Sequence, residues 1–209
     1  MRVEVPAGSA LLAQTAGAEI RGKGVFGESK LQSAGGSIQL DRTGALNVAI
    51  SNGTITVDHA DGPVEIDGSS GSIRIGEIDG SAIFKSANCD IWVGQANRNL
   101  TLSTANGVIT VDSAASDVTA KTAKGAVRVG RVRRGQINIM TASGDIEIGI
   151  GQGTAARVDA QSKTGTVQNS LAPQDNPEKF AETVEVRTRT QSGDIKINRA
   201  PADRPSLDQ

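Results

Sequence analysis

Three small sets of residues have types and spacing that could do chemistry. The first is His59, the one histidine of the chain, in Val57-Asp58-His59-Ala60, with Asp61, Glu65 and Asp67 close behind it. Clusters of Asp, Lys and Arg on one strand face are how β-helical lyases and hydrolases act on polysaccharide, because cleavage needs a proton donor and a proton acceptor within reach of one bond. These acids alternate along the chain or fall at corners, so solvated corners are the expectation, with His59 at the surface beside one. The second is Cys89, the one cysteine. A reactive thiol needs a His or Lys beside it to favour the thiolate, and its neighbours Asn88 and Asp90 supply neither. The third is Trp92 with Ile83. Strand alternation turns both outward, where a ring and an aliphatic side chain make contact residues. These two are the candidate binding residues; catalytic and metal-ligating residues are not expected.

Composition narrows the classes further. Twenty-two Lys and Arg against 23 Asp and Glu leave a net charge of −1, with no one-signed field to draw nucleic acid or an anionic membrane. Aromatics are 2% of the chain and Tyr is absent, which leaves little for stacking on bases or sugars. A lone cysteine builds neither a disulfide framework nor a zinc or iron–sulfur cluster. Calcium-binding nonapeptides need Asp in every beat, and Gly71-Ser-Ile-Arg and Gly107-Val-Ile-Thr have none. Hexapeptide acyltransferases need a six-residue aliphatic comb and a catalytic His, and the comb is missing. No cofactor is expected. Glu4, Pro6 and Gly8 break the apolar run of roughly 7–15 residues that a secretory signal needs. No window approaches the ~18 apolar residues of a membrane span. The expected compartment is therefore the cytoplasm, or the surface or exterior where an export segment precedes this sequence.

The elements that must position these residues are set by a repeat. Thr104-Ala-Asn-Gly-Val-Ile-Thr-Val111, Thr122-Ala-Lys-Gly-Ala-Val-Arg-Val129 and Thr141-Ala-Ser-Gly-Asp-Ile-Glu-Ile148 are versions of one sentence, and weaker copies run from Thr15 to Ile197. Its turn position falls at Ala18, Gly36, Gly53, Gly71, Cys89, Gly107, Gly125, Gly144, Gly165 and Gly193, with spacings of 18, 17, 18, 18, 18, 18, 19, 21 and 28. Two positions after the turn, all ten copies carry Ile or Val, from Ile20 to Ile195. Seven and five positions before it, nine of ten are apolar, including Leu46, Val64, Ile66 and Phe84. Apolar residues two apart are the period of a half-buried strand. Each copy is thus expected to hold two strands of about five residues joined at a Ser/Thr-Ala-x-Gly turn, where glycine supplies positive φ. At Cys89 that conformation is expected to pass to Asn88.

Only alternate turns of the nine-residue beat carry the Ser/Thr-Ala preface, which a plain meander does not explain and an 18-residue coil does. The expected fold is all-β: a single-stranded parallel β-helix, or β-solenoid, right-handed, of about ten coils of ~18 residues. One solenoid domain spans 1–200, with an irregular loop at 170–182, and a C-terminal tail spans 201–209. Pro173 and Pro177 make that segment a loop, with Phe180 expected to pack back onto the rod; in the tail, Pro201 and Pro205 are expected to discourage end-to-end strand pairing. Stacked identical slots favour small side chains, so Phe84 is the one ring expected inside, beside the small slot of Ala82. Arg74, Arg128, Glu147 and Lys196 form one outward column.

The Thr141–Ile148 sentence, its repetition, and Thr183-Val-Glu-Val-Arg187 before Gln191-Ser-Gly-Asp-Ile-Lys-Ile197 resemble a bacterial family called adhesins by analogy, the β-strand-repeat domain of unknown function family 4097. Val3-Glu-Val-Pro-Ala-Gly-Ser9 looks like the first strand of that family. The resemblance runs from Val3 to Ala200 and implies a β-helical solenoid with no catalytic residues. The expected function is a non-enzymatic, adhesin-like surface for a protein partner. A self-associating cytoplasmic scaffold is the alternative, and a polysaccharide-active enzyme stands third.

Overall fold

The computed structural model describes residues 4–171 and 182–201. All its strands join one sheet and every pairing is parallel. The first coil is β1 (Leu11–Thr15) and β2 (Ile20–Phe26). The next four are single strands of 15 residues: β3 (Ser29–Thr43), β4 (Leu46–Ala60), β5 (Val64–Ile78) and β6 (Ala82–Ala96). Paired strands then return as β7 (Leu100–Asn106) with β8 (Ile109–Ala114), β9 (Val118–Lys124) with β10 (Val127–Val132), and β11 (Gly135–Ser143) with β12 (Ile146–Ile150). Last in sequence come β13 (Thr154–Thr164) with β14 (Val167–Asn169), and β15 (Glu182–Ser192) with β16 (Ile195–Arg199). The molecule is an all-β parallel solenoid of ~18-residue repeats. Two short strands per repeat is thus corrected in β3 to β6, where the ladder runs unbroken through the bend, pairing Gly36 with Gly53 and Gly53 with Gly71.

The aliphatic slots stack as their spacing demands. Ile38, Ile55, Ile73, Ile91, Ile109, Val127 and Ile146 are successive register partners, and all are buried. Phe84 is fully buried between Ile66 and Leu102 on the opposite arm. A second ring packs against the core. Gly22 leaves an empty slot, and half-buried Phe26 folds over it at the end of the core, while Phe84 is the one fully buried ring among the described residues.

At the bend, glycine is required twice over. Gly71 and Gly125 have φ of +136° and +144°, and a Cβ on either would fall onto the carbonyl oxygen of the glycine one coil below. The Ser/Thr three residues earlier serves the same bend. Thr104 Oγ1 donates to Asn106 O at 3.0 Å, Thr122 Oγ1 to Lys124 O at 3.2 Å, and Thr190 Oγ1 to Gly144 O at 3.2 Å. These buried hydroxyls occupy carbonyls that the kink would otherwise leave short of donors. Among the described residues no non-glycine has positive φ, so Asn88 does not take the left-handed conformation. Instead β6 passes through extended and turns Cys89 into the core.

The C-terminal coils do not stack in chain order. β11 pairs with β15, and β15 with β13; β12 pairs with β16, and β16 with β14. The last coil in sequence is therefore inserted between two earlier ones, and β13–β14 lies at the end of the stack. This explains why Val167, an inward slot elsewhere, is 42% exposed. Pro201 follows a strand inside the stack, so it guards no terminal edge; Ala200 N and Pro201 O instead bond to Ile150 O and Arg131 Nη2. At the other end, residues from Glu4 to Ala10 form a turn around Gly8, not the expected first strand. Proline and a left-handed glycine two residues apart favour that turn. Phe180, Pro173, Pro177 and Pro205 lie outside the described residues. Among the described residues no helix is long and apolar enough to cross a membrane.

Candidate functional site

Trp92 is outward on β6 as its parity requires, half-buried, with the Arg74 guanidinium of the coil below 5.5 Å from the ring centroid. Its far edge lies over Gly94, where a Cβ would meet Cη2 at 3.2 Å. Part of its surface is therefore committed to the sheet and to a cation–π contact, worth about 0.5–1 kcal/mol at an exposed site. Ile83 is 43% exposed on the other arm of the same strand, beyond the bend at Cys89. The core lies between the outward sides of the two arms, so Trp92 and Ile83 stand on different outer surfaces. The column predicted through Arg74, Arg128, Glu147 and Lys196 forms, and Arg128 Nε bonds Glu147 Oε2 at 2.8 Å.

Cys89 is 2% exposed, and burial pushes its thiol pKa up, which favours the unreactive protonated form. His59 is not the isolated corner residue expected from the sequence. Its Nε2 lies 2.9 Å from Asp61 Oδ1 and 3.1 Å from Asp79 Oδ2, and its Nδ1 lies 3.3 Å from Glu77 Oε2. Arg42 grips Asp61 through Nε and Nη2, at 2.7 Å for the shortest bond, and Asn97 Nδ2 donates to Asp79 Oδ1 at 2.6 Å. The Arg42 hydrogen bond holds the Asp61 carboxyl below its ordinary value, and that of Asn97 does the same for Asp79. Both acids thus stay ionised at neutral pH and are poor proton donors. The donor atoms of His59, Asp61 and Asp79 lie within 4.8 Å of one another. Yet Asp61 is occupied by Arg42 and Asp79 by Asn97. The group is a charge lattice that laces four consecutive coils at one corner.

Of the acids near His59 in sequence, Asp61 joins this lattice, while Glu65 faces Lys85 at 3.7 Å and Asn47 at 3.4 Å. The lattice was nonetheless legible, since Asp61, Asp79 and Asn97 share one slot at 18-residue intervals, as do His59, Glu77 and Gln95. Reading along the chain instead of down the columns hid it.

One concavity was missed entirely. A groove of about 670 Å³ crosses the C-terminal coils on the outer side of the Thr-Ala turns, with Lys121, Met140, Lys163 and Arg189 in its lining. Ladder pairing aligns Lys121, Met140, Arg189 and Gln161 in one column, an order that exists only because β15 is inserted. Towards the N-terminus the same columns form a second groove of about 460 Å³ that contains both Asp67 and Lys85.

Residues 44–198 match the family described as Toastrack DUF4097. The chain belongs to that family. Toastrack DUF4097 is a bacterial domain often linked to adhesin-like surface proteins, and its members are structural or binding modules rather than enzymes. No curated protein and no solved structure matches the chain. For a Toastrack domain the chemistry above is coherent: ladders of ions and aliphatics hold the coils, and the outer columns are what varies from coil to coil.

Proposed function

We propose that this Toastrack domain is a non-enzymatic interaction module that presents its outer columns to a protein partner in the manner of an adhesin. In this reading residues 1–200 form one right-handed rod of about ten coils, roughly 50 Å long at ~4.8 Å per coil, with a tail at 201–209. The cytoplasm is its compartment, and surface display follows if an export segment precedes it. The observation that carries the reading is the division of labour within each coil. Inward slots and turn glycines are fixed by stacking, whereas outward slots change from Arg74 to Trp92 to Thr110 in three successive coils. Trp92 on one outer face and Ile83 on another are the contact residues of this reading. Wild-type protein should recover a partner that Trp92→Ala recovers poorly while remaining folded; equal recovery would remove Trp92 from the interface.

A second reading, a scaffold that self-associates through the ends of the rod, is favoured by the half-exposed Val167 on the terminal coil. Light scattering across a concentration series tests it. A mass that rises with concentration supports the scaffold, and a strict monomer ends it.

A further inference from the structure

We propose that the groove on the C-terminal coils docks an extended, acidic segment of a partner protein. This rests on the interaction-module reading and names the chemistry of the partner. Lys121, Lys163 and Arg189 line the groove and no acidic residue does, although the whole chain carries a net charge of −1. Lys121 and Lys163 have no ion pair among the described residues, and Arg189 has only a loose contact with Asp159 at 4.0 Å. A carboxylate arriving here meets cations that need not abandon a close partner first. The N-terminal continuation of the same columns balances Asp67 against Lys85, so the positive character belongs to this stretch and not to the column type.

The lining also selects among anions. It contains no aromatic residue, so bases and sugar rings would find nothing to stack on. It does contain Ala123, Ala142 and Met140, the last 47% exposed, which give a peptide side chain apolar contact between charges. Lys121 and Arg189 sit two coils apart, about 10 Å at ~4.8 Å per coil, between the ~6.6 Å and ~13 Å that separate same-face residues two and four apart in an extended chain, a mismatch that long Lys, Arg and Glu side chains can span. Backbone groups of the coils are engaged along the rod, so recognition is left to these side chains. Charge complementarity of this kind chiefly sets the association rate and the choice of partner, and it weakens with salt.

The test is fluorescence anisotropy with the full chain and a labelled alternating Glu-Ala peptide at low salt, with a Lys-Ala peptide as control. Binding that falls with added salt is expected, with no binding of the Lys-Ala peptide. The triple variant Lys121→Glu, Lys163→Glu, Arg189→Glu should lose about tenfold or more in affinity. Lys30→Glu with Lys196→Glu, two cations on other columns, should bind like wild type, and circular dichroism should show all three proteins folded. The proposal is overturned if the Glu-Ala peptide does not bind, if the control pair loses as much as the triple variant, or if polyphosphate or heparin binds and the peptide does not. Its failure would leave the module reading standing, because the Trp92 and light-scattering experiments use neither this groove nor its charges.

Discussion

Between β3 and β6 the chain climbs one coil at a time, and each 15-residue strand pairs with its predecessor in sequence. After Ile150 it skips a level, lays down β13–β14, and returns to fill the gap with β15–β16. Yet the slots do not change. Ile146, Ile195 and Val167 continue the aliphatic ladder, and the turn glycines stack in the order Gly144, Gly193, Gly165. Coils of this kind are interchangeable bricks: slot chemistry fixes the register, and connection length fixes the order. The link Gly151-Gln152-Gly153 has three residues, whose reach of about 10 Å suffices to rise two levels of ~4.8 Å.

This contrast makes its largest prediction about truncation. β13 has β15 as its ladder partner and β14 has β16, so removing residues 182–209 should release Thr154–Asn169 as well. Hydrogen exchange should show both coils lost, whereas removing residues 4–26 should cost only the coil removed. Retained protection at 154–169 would mean that β13–β14 can dock directly on β11–β12 once β15–β16 is gone.

Glycine substitutions sharpen the contrast on a smaller scale. Gly71→Ala and Gly193→Ala each force a side chain into positive φ and onto a neighbouring carbonyl. The backbone term alone is about 1–3 kcal/mol. Gly71→Ala should lower the main urea transition, and Gly193→Ala should instead produce an early, separate loss of the two C-terminal coils. A single shared transition in both variants would erase the distinction between the regions.

The inserted coil also carries a defect that the sequential coils lack. Thr188 Oγ1 is buried without a hydrogen-bond partner, in the slot that holds Ile66 and Phe84 in the body. Replacing an unsatisfied buried hydroxyl by a methyl of similar shape removes its desolvation cost, so Thr188→Val should stabilise by about 1 kcal/mol. A loss of stability would show that the hydroxyl is satisfied in solution.

The smallest effect belongs to the charge lattice of the sequential body. Asp61 and Asp79 have folded-state pKa values below their ordinary value of 3.8, so their stabilisation is present above about pH 4 and is lost as pH falls through the folded values. Asp61→Asn should flatten that acid-side decline in denaturation midpoint. An unchanged slope would remove the lattice as a source of acid sensitivity.

What could be read from the sequence follows from what repeats. The aliphatic slots, the glycine bend, its Ser/Thr hydroxyl and the inward Phe84 each recur or fit at fixed spacing, so local chemistry specifies them. The spacings of 21 and 28 were visible too, but they read as insertions into an ordered stack. A coil that satisfies its slots at either level leaves no local mark of which level it takes. The groove was hidden because its residues share a column and not a stretch of chain; the inserted order sets Arg189 two coils from Lys121, where chain order would set it three away. The packing of half-buried Phe26 was not read because its partner is an empty slot at Gly22. The lattice at His59 was legible down its 18-residue columns and escaped a reading along the chain, because Glu77 and Asp79 come from the next coil.

Both the fold and the proposed groove depend on the order of the last coils, and engineered disulfides measure it directly. Ser143 is in register with Ser192, and Ser192 with Thr164. Neighbouring coils place Cα atoms about 4.8 Å apart, within disulfide reach, whereas coils two levels apart stand ~9.6 Å from each other and cannot be bridged. Cysteine pairs at Ser143 with Ser192, and at Ser192 with Thr164, should each oxidise to an intramolecular disulfide seen by mass spectrometry, while the pair at Ser143 with Thr164 should stay reduced. A disulfide between positions 143 and 164, with none from 143 to 192, would contradict the inserted coil and the groove built on it.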